Sequence, residues 1–399
     1  MARSYRVELE VEDDGLSFTL DDAIKGVLDN TTYTLALAFT DITEYVFSVG
    51  VKRGRNRDLS RFNAGSMTVQ LRNNDRTFDP LNTASPFYGQ ILPRRRMRVW
   101  VDQILTYVGF IEFWDFSYDV SGESLVSVSV NDAFTVLAQQ ELIETAVSEQ
   151  LTGARVNTIL NNSGVAWSTS DRDVDTGYSR VAAGTAVGNA LQYLQTVETS
   201  ENGLLFIGKA GDVVFRGRNT TPNTNGILEF ADDGTGIPYT AANVNYGTDL
   251  MVNRAVVEYP AGTAIATNNP SVTSYGIIEE TLKTLLSSST QAQDFAEYFV
   301  GKYGQPEYRF DTLRVSLNGL TDTQKADLLL RDIGDLVQVT FTPNGIGSPI
   351  VRLGQITKLE HSIGIDRHDV IVGLTSVEFV GLILDDDVFG ILDVGLLGY

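Results

Sequence analysis

Few side chains in this sequence have the type and spacing that catalysis or metal binding requires. The chain of 399 residues contains no cysteine, which excludes thiol nucleophiles and thiolate metal sites. It contains two histidines, His361 and His368, on either side of a predicted turn at Gly364-Ile365-Asp366. If they met across a hairpin, they would supply only two of the ligands that a zinc site uses. We therefore predict two exposed strand histidines and no metal.

The acidic residues are numerous, but none is placed as a catalytic or calcium-binding group would be. Asp171, Asp173 and Asp175 alternate as at the start of a calcium loop. Gly177 then falls seventh and Ala182 twelfth, where an EF-hand needs glycine sixth and glutamate twelfth. We interpret the stretch as a polar surface loop.

Catalytic motifs are missing from the sequence as well. It has no nucleophile elbow, no metalloprotease motif and no phosphate-binding loop. A hydrolase that uses two carboxylates stays open as a minor alternative, although no spacing selects such a pair. The sequence predicts no catalytic residue, no cofactor and no enzyme.

An aromatic cluster over residues 110–118 could bind a ligand by stacking. In a regular strand, Phe110, Trp114, Phe116 and Tyr118 would share one face, with Phe113 on the opposite face. Such a face could stack on sugar rings, but aromatic faces more often belong to a core or a subunit interface. Carbohydrate binding is therefore kept as an alternative.

Composition and charge describe a globular chain with one unusual segment. Hydrophobic residues make up 43% and charged residues 20%, and the length suggests two to four domains. No apolar run is long enough for a membrane span, and the N-terminus has no apolar signal core. The net charge is −21, yet residues 52–98 hold 11 basic against 3 acidic residues. This asymmetry predicts an acidic partner for the segment, while the acidic remainder argues against general nucleic-acid binding.

Hydrophobic periodicity divides the chain into parts. Residues 1–145 predict a β-domain, because apolar and polar residues alternate, as at Val7-Glu8-Leu9. Residues 146–248 add helical periods and a hairpin, which indicate a small α+β module. Residues 249–381 return to strands, interrupted by a helix whose apolar stripe begins at Ala292.

One β-unit is written twice, about 245 residues apart. The matched motifs are Arg61-Phe62-Asn63 with Arg309-Phe310-Asp311, Val69-Gln70-Leu71 with Val315-Ser316-Leu317, Gly109-x-Ile111 with Gly354-x-Ile356, and Val126-x-Val128-x-Val130 with Val370-x-Val372-x-Leu374. Self-similarity at a fixed offset indicates duplicated architecture. The predicted fold is mainly β with an α+β insert: two similar tube-like β-barrel or β-sandwich domains flank the small α+β module. A ring of three such chains would present six similar domains.

The last residues, 382–399, form a fourth region. Nine residues between 384 and 399 are apolar or aromatic, Phe389 and Leu392 among them, and four aspartates accompany them. So many apolar side chains would form an adhesive patch in water. We predict an assembly arm that docks on a neighbouring component, with a terminal strand folded back on the second β-domain as the alternative.

The segment 39–101 carries motifs beyond a β pattern. They are Phe39-Thr40-Asp41-Ile42-Thr43-Glu44-Tyr45-Val46, Leu71-Arg72-Asn73-Asn74-Asp75, Phe78-Asp79-Pro80-Leu81-Asn82 and Ser85-Pro86-Phe87-Tyr88-Gly89. Looser matches follow at 334–339 and 384–393. In this order the motifs resemble those of the minor tail proteins of long-tailed bacteriophages, the family that forms the tail-tip or baseplate hub. The matches cover about a third of the chain.

The resemblance implies a structural hub of the phage tail tip or baseplate. Hubs of this family are trimers, in which each chain contributes two tube-like β-domains and an α+β module to a six-fold tail. The implied homotrimer closes the tail tube against a distal tail or tube ring protein and adapts it to tail fibres or receptor-binding proteins. It guides tape-measure protein and DNA without binding DNA specifically, in a virion tail assembled in the bacterial cytoplasm. The alternative is a host-surface carbohydrate-binding tail protein.

The basic stretch then predicts a protein interface rather than a DNA site. The remainder of the chain is strongly acidic, so a neighbouring copy or component supplies the counter-charge. Arg94, Arg95 and Arg96 are the predicted contact residues in this stretch, and Phe389 and Leu392 are those in the arm.

Overall fold

The computed structural model of the chain describes residues 5–11, 39–55, 60–120, 122–218 and 226–377. Seven strands form its first part: β1 (Tyr5–Glu10), β2 (Phe39–Asp41), β3 (Val46–Gly54), β4 (Asn63–Arg72), β5 (Arg96–Val101), β6 (Ile104–Tyr118) and β7 (Ser124–Asn131). Buried and more exposed residues alternate along them: in β4, Met67, Val69 and Leu71 are buried and their neighbours are not. This alternation places one face of the sheet on the core.

A smaller module of helices and short strands follows. Its elements are α1 (Ala133–Leu137), β8 (Glu141–Val147), β9 (Gln150–Leu151), α2 (Thr152–Leu160), β10 (Arg172–Val174), β11 (Arg180–Val181), β12 (Gly184–Asn189), α3 (Ala190–Glu201), β13 (Leu204–Ile207) and β14 (Val213–Arg216). The side chain of Asn189 caps α3 by accepting from the Gln192 N–H, and Asn202 ends the helix in a left-handed conformation. Ile159, Leu194 and Phe215 lie in the core of this module.

The remaining described residues form a second β-unit with an insertion. Its elements are β15 (Leu228–Ala231), β16 (Ala241–Asn245), β17 (Arg254–Tyr259), β18 (Gly262–Thr267), α4 (Asn269–Tyr275), β19 (Glu279–Lys283), α5 (Ser289–Tyr303), β20 (Arg309–Ser316), α6 (Asp322–Leu330), β21 (Leu336–Phe341), β22 (Ile350–Ile363) and β23 (His368–Ser376). Strands β17 to β19 form their own sheet. The apolar stripe of α5, which includes Ala292 and Phe299, is buried in a core with strands β17 and β18.

The two β-units share one strand order. Neighbouring strands run β3-β4-β7-β6-β5-β1 in the first unit and β16-β20-β23-β22-β21-β15 in the second. In both units, the six strands in this spatial order are the second, third, sixth, fifth, fourth and first along the chain. All pairings are antiparallel except the outermost one of the second unit, since β15 lies parallel to β21. The fold is therefore mainly β, with two similar β-units around an α+β module, as predicted.

The repeat also holds at single residues. Ile111 lies opposite Val130 and is followed by a bulge at Glu112. Ile356 lies opposite Leu374 and is likewise followed by a bulge, at Thr357. The Gly-x-Ile and Val-x-Val motifs therefore occupy equivalent positions in the two units.

The matched motifs Val69-Gln70-Leu71 and Val315-Ser316-Leu317 do not occupy equivalent positions in the structure. Leu71 lies opposite Val126, and the residue opposite Val370 is Val315 rather than Leu317. Strand patterns repeat every two residues, so a slip of two leaves such a motif equally well matched.

The paired Arg-Phe-Asx motifs also differ in their surroundings. The Phe62 ring packs on Phe206 of the α+β module, with ring centres 5.9 Å apart. The Phe310 ring packs on Phe341 of the second unit at 5.8 Å. The predicted match between the two Arg-Phe-Asx motifs is therefore wrong.

Strand pairing bears on where the second unit begins. Strands β15 and β16 precede residue 249, yet they pair with β21 and β20 of the second unit. The pairing thus favours a second unit that begins before β15. The predicted domain limits at 145, 248 and 381 are not tested by it. The arm over 382–399, with Phe389 and Leu392, lies outside the described residues.

Candidate assembly surfaces

The two β-units join through one pair of strands. The C-terminal half of β22, Lys358–Ile363, lies antiparallel to Val49–Gly54 of β3. Leu359 and Ile363 on one strand and Val51 on the other are buried there. The main sheet therefore continues from one unit into the other.

Arg53 ties this junction to the other parts of the chain. Its side chain is 4% exposed, and its Nη2 lies 2.8 Å from Asp332 Oδ1, in the loop before β21. The same nitrogen donates to the carbonyl of Ile207 in the α+β module at 2.7 Å. Asp332 also accepts from the backbone N–H of Lys209 at 3.1 Å. A buried charge without a partner is costly, so this ion pair favours one arrangement of the three parts.

The two histidines lie at the same junction and are buried, so the prediction that they are exposed is wrong. His361 Nδ1 lies 3.1 Å from His368 Nε2 across the β22–β23 hairpin. His361 faces inward because it lies opposite Val51, where β3 covers the strand. Burial, with His368 and Arg53 nearby, lowers the pKa of His361, and burial lowers the pKa of His368 to about 4. Both rings are neutral at neutral pH.

The predicted contact residues Arg94, Arg95 and Arg96 lead into β5 at the surface. Arg94 has a side chain 44% exposed and pairs with Glu112 of β6, with 3.1 Å between Nη1 and Oε1. The Arg96 guanidinium lies 5.5 Å from the centre of the Phe110 ring. Arg94 and Arg96 are therefore already engaged by β6 of the same chain.

Other residues of the basic stretch also have partners within the chain. Arg76 pairs with Asp79 at 2.6 Å. Arg98 contacts Glu8 and stacks on Phe39, with 3.8 Å between the guanidinium carbon and the ring centre. An acidic neighbour would thus meet less free positive charge than the sequence count implies.

The aromatic cluster does not form the single face that the alternation predicts. The bulge at Glu112 shifts the alternation by one residue, so Phe110 no longer shares a face with Trp114. Trp114 packs on Phe78 of the main core, with ring centres 6.2 Å apart. Phe113, on the other face, is 57% exposed. The cluster is split between the two faces of β6.

The acidic stretch at 171–177 is not a surface loop throughout. Its residues Arg172–Val174 form strand β10, which lies parallel to β14. Asp173 and Asp175 both pair with Arg216 of β14. Arg216 thus neutralises the two carboxylates that would otherwise attract a calcium ion. Among the residues that the structure describes, no three histidine or acidic side chains come together as a metal site.

A cavity of about 380 Å³ lies between the module and the second unit. Asp173, Asp212, Asp332 and Asp335 line it together with arginine and lysine residues. Asp173 is paired with Arg216 and Asp332 with Arg53. Burial raises the pKa of Asp212. The hydrogen bond from Arg216 lowers the pKa of Asp173, which does not suit a general acid.

Two buried carboxylates with raised pKa values, Asp132 and Glu198, are not predicted from the sequence. Asp132 caps α1 and accepts from the N–H groups of Gly65 at 2.5 Å and Phe134 at 3.0 Å. Glu198 in α3 accepts from the Leu205 N–H at 3.0 Å. Burial raises the pKa of each to about 7. The aspartate before a short helix is a capping signal in the sequence, whereas nothing local marks the glutamate as buried.

The described part of the chain contains no candidate for a transmembrane helix. None of the helices there is both long and apolar enough to span a bilayer.

Comparison with known proteins concerns the fold. Neither a protein-family model nor a curated protein sequence matches the chain. Among solved structures, the chain is similar to the 43 kDa tail protein of prophage MuSo2 from Shewanella oneidensis, with a TM-score of 0.58 and 12% identity over 94% of this chain and 97% of that one. It is similar to the tail protein from Neisseria meningitidis MC58, with a TM-score of 0.59 and 12% identity over 94% and 96% of the two chains. The likeness spans nearly the whole of each chain. The protein therefore has the fold of these two tail proteins, as the resemblance in its sequence implies.

Proposed function

We propose that the protein is a structural, non-catalytic hub at the tip or baseplate of a phage tail, where three copies form a ring that closes the tail tube. The observation that carries this proposal is the duplicated unit: two β-units of one strand order, joined through β3 and β22. Three such chains present six similar units, which suits a six-fold tube. The fold shared with two tail proteins is in line with this role.

The ring would adapt the tube to its neighbours. A distal tail or tube ring protein would lie on one side, with fibres or receptor-binding proteins attached outside. Tape-measure protein and DNA would pass through the centre. The net charge of −21 supports passage without binding, because an anionic wall does not retain the DNA backbone. The protein would be assembled in the bacterial cytoplasm and reside in the virion.

The carbohydrate-binding alternative has less support. Sugar stacking needs an open aromatic face. Trp114 lies against Phe78, and the exposed rings of Phe113 and Tyr118 lie on opposite faces of β6. A hydrolase has less support, because two of the carboxylates around the cavity, Asp173 and Asp332, are paired with arginines.

The test is the number of copies in the assembled tip. Native mass spectrometry of the isolated ring should give three chains, and averaged end-on electron micrographs should show six similar lobes. One or six chains per ring would overturn the proposal. Binding on a glycan array that Phe113→Ala or Tyr118→Ala abolishes would favour the carbohydrate-binding alternative.

A further inference from the structure

Strand β22 has two partners along one edge. Its N-terminal half pairs with β21, and its C-terminal half, Lys358–Ile363, pairs with Val49–Gly54 of the first unit. At this junction Ile363 is 2% exposed and Val49, which lies opposite, is also 2% exposed. One chain therefore contains a complete contact between two successive β-units.

The equivalent edge of the first unit is only half used. Strand β6 corresponds to β22, and its N-terminal half pairs with β5. Its C-terminal half, Phe113–Tyr118, pairs with β7 on one edge. No strand among the described residues pairs with its other edge.

A matching free edge lies at the far end of the second unit. Strand β16 corresponds to β3, but among the described strands it pairs with β20 alone and ends the main sheet. In β3, by contrast, both edges are paired. Within the part of the chain that the structure describes, the β22-type edge of β6 and the β3-type edge of β16 are therefore both unpaired.

Side chains at the two free edges are less covered than their counterparts in the junction. Tyr118, the counterpart of Ile363, is 54% exposed. Ala242 and Val244 of β16 are partly buried, whereas Val49 and Val51 of β3 are fully covered. Unpaired strand edges with apolar side chains favour the addition of another strand.

We propose that residues Phe113–Tyr118 of one chain pair with β16 of a second copy, as an antiparallel strand pair that reproduces the β22–β3 junction. Transferring the register of that junction through the equivalent residues places Ser117 opposite Asn243 of the neighbouring copy and Phe116 opposite Val244. The pairing is head-to-tail, so it closes a ring if the rotation between copies is regular. It rests on the proposed function, because it supplies the contact between the chains of that ring.

Disulfide trapping tests the register directly, since the native chain has no cysteine. The full-length chain would carry both Ser117→Cys and Asn243→Cys, two exposed positions. Directly opposed residues on antiparallel strands lie close enough for a disulfide. The matched control carries Ser362→Cys and Gly50→Cys, the equivalent pair inside one chain. A side chain at Gly50 meets no atom within 4 Å, so cysteine fits there.

A second variant checks the register itself. It combines Ser117→Cys with Asn245→Cys, which moves one thiol two residues along the same strand face. Each protein would be concentrated, oxidised and run on denaturing gels with and without reductant. Thiol titration would show whether the control has closed its internal disulfide.

The expected result is a covalent trimer from the Ser117/Asn243 variant that reduction returns to monomer, with much less product from the shifted pair. A monomer alone, when the control has closed, would overturn the proposal, and so would equal trapping of the shifted pair. A trimer in native mass spectrometry without the disulfide would overturn the strand pairing and leave the ring standing. A covalent ladder beyond three chains would support the pairing and contradict the trimeric ring.

Discussion

The Arg53 guanidinium lies 2.8 Å from the Asp332 carboxylate, and this contact joins the first β-unit to the loop before β21. The arginine belongs to the basic stretch that suggested an external partner, yet its side chain is almost fully buried. Its guanidinium therefore makes contacts within the chain, where it also donates a hydrogen bond to the carbonyl of Ile207.

Replacing the acid of this pair should destabilise the protein. Asp332→Ala removes the ion-pair partner of the buried arginine, so we expect a loss of about 3 kcal/mol in the free energy of unfolding. Urea titration followed by circular dichroism measures it. The control is Glu149→Ala, which removes the exposed partner of Arg180 and should cost less than about 1 kcal/mol. Equal losses in both variants would show that the buried pair does not hold the parts together.

The sequence was informative wherever the signal was periodic. Duplication, the strand-rich texture and the apolar stripe of α5 could all be inferred, because burial on a strand or helix follows a fixed period. The same period limited the inference: a slip of two residues leaves a strand motif intact, so Leu317 was matched in place of Val315.

Contacts between distant residues could not be inferred. Nothing near Arg53 in the sequence points to Asp332, and nothing near His361 indicates that β3 covers it. The bulge at Glu112 has no strong local signal either, and it alone turns Phe110 away from Trp114. Such features depend on pairing partners, which a single sequence does not specify.

Glu198 gives a prediction about pH. Burial raises the pKa of its carboxyl from 4.5 to about 7 in the folded protein. The neutral form suits the folded state, so the contribution of this group to stability is fully present below pH 4.5. It is lost as the pH rises through about 7. Glu198→Gln keeps an acceptor for the Leu205 N–H and cannot ionise.

We expect Glu198→Gln to raise the free energy of unfolding at pH 8 by up to about 3 kcal/mol. At pH 5 the change should be small, because the native carboxyl is already neutral there. Urea titrations of both proteins at the two pH values measure the difference. A gain of the same size at pH 5 would mean that ionisation of this residue is not the cause.

The arginine trio, Arg94, Arg95 and Arg96, gives a prediction about assembly. Reversal of all three to glutamate should weaken association at least about tenfold, equivalent to about 1.4 kcal/mol, because like charges would face an acidic neighbour. Native mass spectrometry over a range of salt concentrations measures the association. The matched control replaces the trio with glutamine, and it should lose less and depend less on salt.

The fold should survive these changes, because the Arg94 side chain is 44% exposed and the stacking of Arg96 on Phe110 is worth only about 1 kcal/mol. Circular dichroism and the thermal midpoint check this point. Unaltered assembly of the glutamate variant, accompanied by failed DNA ejection, would place the trio in the lumen of the ring instead.

Deletion of residues 384–399 decides the role of the C-terminal segment. Nine of its residues are apolar or aromatic, and Phe389 and Leu392 are the predicted contact residues. An assembly arm contributes nothing to the fold of its own chain, so the truncated protein should keep the native thermal midpoint and fail to join the tail. Differential scanning calorimetry and incorporation into particles measure the two properties separately. Phe389→Ser with Leu392→Ser should reproduce the failure, because the arm would lose its apolar contacts but keep its length. A truncated chain that does not fold would indicate instead a terminal strand folded back on the second β-unit. One that folds and assembles as the full chain does would remove both roles.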